Sequence, residues 1–319
     1  MPAQLTLFPV RGTSRTFVWN DGRSQFAGRE PESDIFLDDP RVSGRHALFQ
    51  WTGGGWMLVD MRSKNGTYVN GERVSEVPLQ SGDWISFGGL LARHERVREA
   101  EMRAEEENRI ARRARCAAER RRLEGARDDG FWDAFLAAAL ELAGASRGFT
   151  ASTASGRIPA VRSASGFARF ETLDERFDSA IGAVESVLRD GKAVASMRRG
   201  EMGEKRRGTL EELGSGAVAA VALRTGTRVS GALCVEGRKR GGGFTDFDLE
   251  LLDLLASASV PSGAAVASAG PVPVEPASPR ETAPGPGRPF LEQLDRRLRD
   301  LVAVSGETAE PLAGPDGPG

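Results

Sequence analysis

The sequence is poor in several side chains on which most catalytic and metal centres depend. Its 319 residues include two cysteines, two histidines and one tyrosine. A zinc site built mainly from Cys and His ligands is therefore not available. A Ser-His-Asp triad would need His46 or His94, and neither accompanies a G-x-S-x-G nucleophile motif. We accordingly predict no catalytic residues, no metal site and no enzymatic activity.

Long apolar runs are missing as well. A membrane-spanning helix needs about 18 consecutive apolar residues, and no stretch approaches this length. The N-terminal sequence MPAQLTLFPVRG lacks the basic region and the long apolar segment of a signal peptide. Cys116 and Cys234 lie far apart in unlike contexts and do not form a disulfide framework. These absences predict a soluble protein in the reducing cytoplasm.

Lysine is scarce, since only four of the 43 basic residues are Lys. Together with the high Ala and Gly content, this skew indicates a GC-rich bacterial coding sequence. The formal net charge is −2, so no overall field draws the protein to nucleic acid or to an acidic membrane, and neither is an expected partner. The length predicts two domains, or three modules, each with its own core.

Residues 1–91 have the composition of an all-β domain. Short runs rich in β-branched and aromatic residues are separated by the turn signals NDG, DDP, TGGG and SGD, which predicts a β-sandwich. The candidate strands are LTLF, RTFVW, DIFL, HALFQW, WMLVDM and WISFG. The dipeptide Asn70-Gly71 within YVNGERV predicts a hairpin closed by a type I′ turn.

Residues 92–127 predict a charged helical linker, because Gly and Pro are absent before Gly125. Six Glu between 95 and 107 precede seven Arg between 109 and 122, an order that complements the helix dipole. Two thin seams with seven-residue spacing would allow a coiled coil and a homodimer. They consist of Met102, Cys116 and Leu123, and of Val97, Ala104, Ala111 and Ala118. A solvated connector, a dimerising signalling helix and a DNA-binding basic half all remain open.

Residues 128–260 predict an α+β domain. FWDAFLAAALELAGA, RFDSAIGAVESVLRDG and FDLELLDLLASAS are amphipathic helices, and AVAAVAL and SGALCVEG are neighbouring buried strands. Residues 261–319 are rich in Pro, Gly and Ala, which predicts a disordered tail. Within the tail, residues 289–304 predict a short amphipathic helix. This helix either docks on a partner surface or is residual order without a partner. Its apolar stripe is Phe290, Leu291, Leu294, Leu298, Leu301 and Val302.

Groups suited to phosphate recur in three loops of the predicted sandwich, FAGRE, RVSGRH and RSKNGTYVNG. They are the cations Arg29, Arg41, Arg45 and Lys64, the Ser43 hydroxyl and the Asn65 amide. Guanidinium forks bind two phosphate oxygens at once, and hydroxyl or backbone N–H groups bind the remainder. Each residue alone would be ordinary surface or turn, but the three segments together predict a phosphate-binding site.

In order and spacing, GR at 28–29, SDIFLDD at 33–39, RVSGRHA at 41–47 and KNGTYVNG at 64–71 resemble the forkhead-associated (FHA) domain. The resemblance covers roughly residues 5–92 and implies a β-sandwich that binds phosphothreonine peptides through loops at one end. It implies that Arg29 and Ser43 grip the phosphate, with Arg41 and Lys64 as further contacts. Asn65 would hold the peptide backbone beside the phosphothreonine.

The resemblance also implies structural residues within this site. His46 would tie the loops together without touching the ligand, and Gly28 and Gly66 belong to the same supporting group. Gly44 departs from the family pattern, because many members carry a polar or basic side chain there. One contact is then lost, or Arg45 replaces it.

Residues from about 130 to 260 resemble the GAF domain, a sensor module with a central antiparallel sheet. The matching stretches are ALELAGASRGF, SVLRDGKAV, GALCVEG and FTDFDLELLDLLA. Such domains often have a pocket between the sheet and a loop-helix layer, but the ligand is unknown and no cofactor is predicted. No Cys or His suits haem or a linear tetrapyrrole. Cys234 stands alone in an apolar strand, which is typical of a core thiol rather than of a redox site.

The order FHA then GAF resembles the N-terminal regulatory part of bacterial enhancer-binding activators. The chain has no P-loop sequence G-x-x-x-x-G-K-[ST] for an ATPase. We expect a signalling protein that binds phosphothreonine on a partner of a Ser/Thr kinase pathway, and that senses a ligand or dimerises through its GAF domain. The alternative is a transcriptional regulator related to those activators but without their ATPase and DNA-binding domains. An enzyme within the GAF domain is disfavoured.

Overall fold

The computed structural model describes residues 2–20, 22–125, 130–152, 160–167, 177–197, 215–239, 241–257 and 291–299. Eleven strands precede the first helix, and they form two sheets. The strands are β1 Ala3–Phe8, β2 Arg15–Trp19, β3 Gln25–Gly28, β4 Ile35–Phe36, β5 Ala47–Trp51, β6 Trp56–Asp60, β7 Thr67–Val69, β8 Glu72–Val74, β9 Glu76–Pro78, β10 Trp84–Phe87 and β11 Leu90–Arg96.

The two sheets have the orders β2-β1-β11-β10-β7-β8 and β4-β3-β5-β6-β9. Alternate residues of both sheets point into one shared core, in which Phe49, Trp56 and Phe87 are fully buried. At the β7–β8 turn, Asn70 and Gly71 have φ of 52° and 86°, as a type I′ turn requires. The predicted β-sandwich is therefore confirmed.

Strand β11 runs to Arg96, five residues beyond the predicted end of the first domain at residue 91. Residues 92–96 pair with β1 up to the Ala3–Arg96 position, so they are strand and not the start of the linker helix. The charged residues of RHER at 93–96 made this strand hard to predict from the sequence. They alternate with Ala92 and His94, which are fully buried, and period-two burial is the mark of a strand with one face on the core.

The charged linker is one helix, α1 Glu99–Gly125, and the predicted long connecting helix is confirmed. Cys116 and Leu123 from the first predicted seam are fully buried in the core of the second domain, and the Cys116 thiol donates to the Leu251 carbonyl oxygen at 3.3 Å. Part of α1 thus packs within its own chain. Met102, from the same seam, is exposed.

The second domain has a five-stranded, fully antiparallel sheet of order β13-β12-β16-β15-β14. Its elements are α2 Phe131–Ala143, β12 Ala145–Ser152, β13 Ala160–Ser165, α3 Asp178–Asp190, β14 Val194–Met197, β15 Ala217–Thr225, β16 Arg228–Arg238 and α4 Asp246–Ala256. Helices α2 and α4 cover one face together with the end of α1, and α3 covers the other. This is the predicted α+β domain with an antiparallel sheet.

Helix α4 begins with a capping box, in which the Thr245 hydroxyl accepts the Asp248 N–H and the Asp248 carboxylate accepts the Thr245 N–H. The Asp248 side chain is fully buried and also pairs with Arg112 of α1 at 2.6 Å and with Arg238 at 3.3 Å. One carboxylate therefore fixes the start of α4 and joins it to α1.

The two domains contact each other directly. The loop between β1 and β2 runs beside the edge strand β14, where the Gly12 N–H donates to the Ala195 carbonyl and the Met197 N–H to the Val10 carbonyl. Phe8 packs against Met197 in a small buried cluster. Among the described residues, no helix combines the length and apolarity needed to cross a bilayer.

Candidate functional site

The predicted site lies where the β3–β4, β4–β5 and β6–β7 loops meet. Backbone bonds join the first two loops, since the Arg29 N–H donates to Ser43 O at 3.0 Å and the Glu30 N–H to Gly44 O at 3.1 Å. Gly28 permits this approach, because a Cβ at that position would overlap the Gly44 carbonyl. A loop with any other residue at position 28 would have to move away from Ser43.

His46 connects the second loop to the third. Its Nδ1 accepts the Ser43 N–H at 3.0 Å, and its Nε2 lies 3.2 Å from Gly66 O. This pairing requires the tautomer in which Nε2 carries the hydrogen. Burial lowers the pKa of His46, and the bond to Gly66 only partly offsets this. A neutral imidazole therefore holds both loops in place.

The third loop is tied to Ser43 and Arg41 by two further bonds. The Lys64 N–H donates to Ser43 Oγ at 3.0 Å, and the Asn65 Nδ2 donates to the Arg41 carbonyl at 2.7 Å. Because Ser43 Oγ accepts from Lys64, its own hydrogen can still be donated to a ligand. Arg29, Lys64 and Asn65 are exposed residues of the same loops, and Arg29 Nε donates to the Val42 carbonyl at 3.2 Å.

Arg41 and Arg45 have partners that the sequence did not reveal. Arg41 forms a bidentate pair with Asp39, at 2.9 and 2.6 Å, and this hydrogen bonding raises the pKa of the Arg41 guanidinium. The Arg45 guanidinium lies 4.2 Å from the centre of the Phe26 ring, a cation–π distance. Both guanidinium groups belong to exposed residues next to the loops, but each is already engaged.

The space beside Gly44 is occupied. A Cβ at that position would lie 2.6 Å from Glu30 Oε1, the flexible end of an exposed side chain. Gly44 does not have a positive φ, so its backbone would accept other residues. The glycine therefore leaves room for Glu30 and not for a ligand contact of its own.

Asp60 supports the third loop and was not among the predicted residues. Its carboxylate accepts from the Ser63 hydroxyl at 2.5 Å, the Ser63 N–H at 3.1 Å and the Thr67 hydroxyl at 2.6 Å. Burial alone would raise the pKa of Asp60, but the bonds from Ser63 and Thr67 outweigh it and lower the pKa. The signal was present in the Asp, Ser and Thr around KNG, where each residue alone is typical of a turn. Gly66, within this loop, has a φ of 80°.

Two family models match the chain. Residues 26–88 match the model described as FHA domain, and residues 129–258 match the model described as GAF domain. The chain therefore carries an FHA domain followed by a GAF domain.

Similar curated proteins match only part of the chain. The glycogen accumulation regulator GarA of Mycolicibacterium smegmatis is 55% identical over 62 residues, which are 19% of this chain and 39% of that protein. An oxoglutarate dehydrogenase inhibitor of Corynebacterium efficiens is 56% identical over 62 residues, 19% of this chain and 44% of that protein. The chain thus spans about two fifths of the length of these relatives.

Two solved structures resemble 31% and 29% of the chain. One, from a study of phosphothreonine-dependent FHA domain interactions, has 33% identity and a TM-score of 0.29 and covers 31% of this chain and 99% of its own. Another is EmbR of Mycobacterium tuberculosis in complex with a low-affinity phosphopeptide. It has 30% identity and a TM-score of 0.26 and covers 29% of this chain and 24% of its own.

Proposed function

We propose that this protein is a non-enzymatic signalling regulator whose FHA domain binds a phosphothreonine-containing partner. The observation that carries the proposal is that hydrogen bonds hold three loops together at Ser43, and that Arg29, Lys64 and Asn65 are exposed residues of these loops. Loops held by the protein's own bonds lose little freedom when a ligand binds. A dianion with three accepting oxygens fits donors of this kind.

The donors would divide the ligand between them. Arg29 and Ser43 bind the phosphate, and Lys64 adds a positive charge. Asn65 binds the peptide backbone through the side-chain amide atoms that do not bond to the Arg41 carbonyl. Arg41 contributes less, because a phosphate must compete with Asp39 for its guanidinium. Arg45 contributes positive charge from its position over the Phe26 ring. It does not replace the ligand contact that Gly44 lacks.

The partner class follows from the site and from the relatives. A phosphothreonine peptide is the product of a Ser/Thr kinase, so the partner is a substrate of such a kinase or the kinase itself. The similar proteins are named as a regulator and an inhibitor, which supports a regulatory role for this chain. The GAF domain would add a second input, either a small ligand or a homodimer contact that includes α1.

Binding to a degenerate phosphothreonine peptide library, with the matched unphosphorylated library, tests the proposal. We expect the full chain to retain only the phosphorylated library and Arg29→Ala to lose at least about tenfold in affinity, because one charge-assisted bond is worth roughly 1.5–3 kcal/mol. Arg228→Ala removes the same charge from an exposed position at the start of β16 in the GAF domain and is the control. Equal binding of both libraries, or an unchanged Arg29→Ala, would refute the proposal.

The alternative is a transcriptional regulator that acts through partners or through DNA binding by the basic half of α1. There Arg112 pairs with Asp248, Arg113 with Glu250 and Arg115 with Glu141. These three guanidinium groups are paired within the chain, which disfavours DNA binding by this half of α1. A salt-dependent gel shift with duplex DNA would revive it.

A further inference from the structure

The face of the GAF sheet that α3 covers is also contacted by a short helix that lies far along the chain. Residues 291–299, called here the tail helix, are helical, and their Leu294 and Leu298 are fully buried in the core that α3 shares with the sheet. Residues 258–290, eight of them proline, separate this helix from the end of α4. The tail helix is therefore a separate element that packs on the sheet, and it does not continue α4.

The covered face is lined by small side chains. Seven sheet residues on this side are at most 3% exposed, and five of them have short side chains, the other two being Phe149 and Val218. Short side chains leave volume that larger apolar groups must fill. Here the filling groups include Phe167 and Phe177, with the two tail leucines. The five small residues are Ala151, Ala220, Ala222, Ala232 and Cys234.

Polar bonds fix the direction of the tail helix. The Val161 N–H on the edge strand β13 donates to Asp295 Oδ1 at 2.8 Å, and Arg297 pairs with Asp178 at the start of α3 at 2.7 Å. The first bond satisfies a backbone donor of β13, which is an edge strand of the sheet in the part of the chain that the structure describes. The tail helix thus recognises β13, α3 and the apolar layer together.

The attachment is small enough to be reversible. Two fully buried leucines and a partly buried Leu291 form its apolar contact, and both side chains of the Arg297–Asp178 pair are about half exposed. A helix of this length is marginal in water by itself, so it depends on the surface beneath it. Covalent connection keeps it at a high effective concentration near that surface.

We propose that the α3 face of the GAF sheet is a docking site for an amphipathic helix, occupied in cis by the tail helix as a detachable cover. Release of the tail helix opens the apolar layer between the sheet and α3. The site recognises apolar residues four positions apart with an Asp beside the first of them. The occupant is the chain's own residues 291–299.

Hydrogen exchange on the full chain tests this docking. Leu298→Asp places a charge in the apolar layer, whereas Arg296→Asp places the same residue on the exposed side of the helix. We expect Leu298→Asp to raise exchange in α3 and β13 by about tenfold or more with α2 and α4 unchanged. We expect Arg296→Asp to leave all four elements as they are. A synthetic peptide of residues 286–304, added in trans to Leu298→Asp, should restore the protection.

Three results would overturn the proposal. Exchange in α3 and β13 that does not change in Leu298→Asp would mean that the tail helix covers nothing. Faster exchange throughout the domain, not rescued by the peptide, would make the helix a fixed part of the core. Protection of the wild-type protein that falls on dilution would assign the occupant to a second copy of the chain.

Discussion

Gly28 permits the close approach of the β3–β4 loop to the β4–β5 loop. Because a Cβ there would overlap the Gly44 carbonyl, Gly28→Ala must push the β3–β4 loop away from Ser43. We expect a loss of about 1–3 kcal/mol in unfolding free energy, as overpacking typically costs, together with loss of phosphothreonine peptide binding. Urea unfolding and peptide titration measure the two effects.

Gly54→Ala is the matched control for that substitution, because nothing lies within 4 Å of a Cβ at position 54. It should leave both measurements near the wild-type values. Binding by Gly28→Ala at wild-type affinity would show that the loops do not need their close approach.

His46 should make the FHA domain less stable in mild acid. Its folded-state pKa is lowered by burial, as is that of His94. Because the pKa is lower in the folded state, the unfolded chain binds the proton more readily. The free energy of unfolding is therefore highest above the unfolded-state pKa of about 6.5, and it falls as the pH drops from there through the folded-state pKa. The limiting slope is about 1.4 kcal/mol per pH unit for each histidine.

Urea unfolding between pH 7.5 and 5 tests this dependence, with His46→Gln as the variant. Glutamine keeps a donor and an acceptor but does not titrate, so the slope should fall, and the remainder belongs to His94. A slope identical to that of the wild-type protein would mean that His46 does not carry the effect.

The motif predicted which residues lie together in the loops of the candidate site, but it did not predict the partners of Arg41 and Arg45. Arg29, Ser43, Lys64 and Asn65 meet because GR, RVSGRH and KNG occupy fixed loops. The Asp39 pair of Arg41 and the Phe26 ring under Arg45 depend on how exposed side chains turn. No periodic pattern in the sequence predicts the orientation of either side chain.

At the scale of elements, Asp248 is the strongest single link between α1 and the GAF domain. Asp248→Asn would remove a fully buried charge from Arg112 and Arg238 and weaken the capping box of α4. Removal of one partner from a buried pair typically costs about 3–5 kcal/mol, and we expect a loss of that order. Thermal or urea unfolding followed by circular dichroism measures it.

Glu250→Gln is the control, since Glu250 pairs with the neighbouring Arg113 and both side chains are about half exposed. Exposed pairs contribute about 0–1 kcal/mol, so its effect should be small. Equal losses in the two variants would contradict the distinction between the buried and the exposed pair.

The sequence predicted the elements better than their ends and their packing. Helical and strand periods are local and readable, which is why the sandwich, α1 and the α+β domain could be predicted. The extent of β11 was missed because its charged residues lie on the outer face. The docking of Leu294 and Leu298 depends on small residues more than 50 positions earlier in the sequence. The apolar stripe of one helix does not predict the surface on which that helix packs.

At the scale of the whole molecule, the FHA and GAF domains are joined by backbone bonds. The β1–β2 loop lies along β14, an edge strand among the described residues, and the Ser14 N–H donates to Phe244 O at 2.8 Å. Thr13 adds a side-chain bond to Asp246 at 2.5 Å. Backbone groups are common to all sequences, so this junction could not be predicted from residue types. It places α1, the FHA sheet and the start of α4 around a cleft of about 740 Å³.

Met197→Asp should separate the two domains without affecting the FHA site. Met197 is 3% exposed and packs against Phe8, and an unpaired charge buried there is strongly unfavourable. We expect a larger radius of gyration by small-angle X-ray scattering and faster hydrogen exchange in residues 9–14, with unchanged phosphothreonine peptide affinity. Ser196→Asp, one position earlier on β14 and only half-buried, is the control and should keep the wild-type scattering. Domains that stay together in Met197→Asp would show that the bonds of Gly12, Ser14 and Thr13 suffice, and that Phe8 and Met197 add little to the junction.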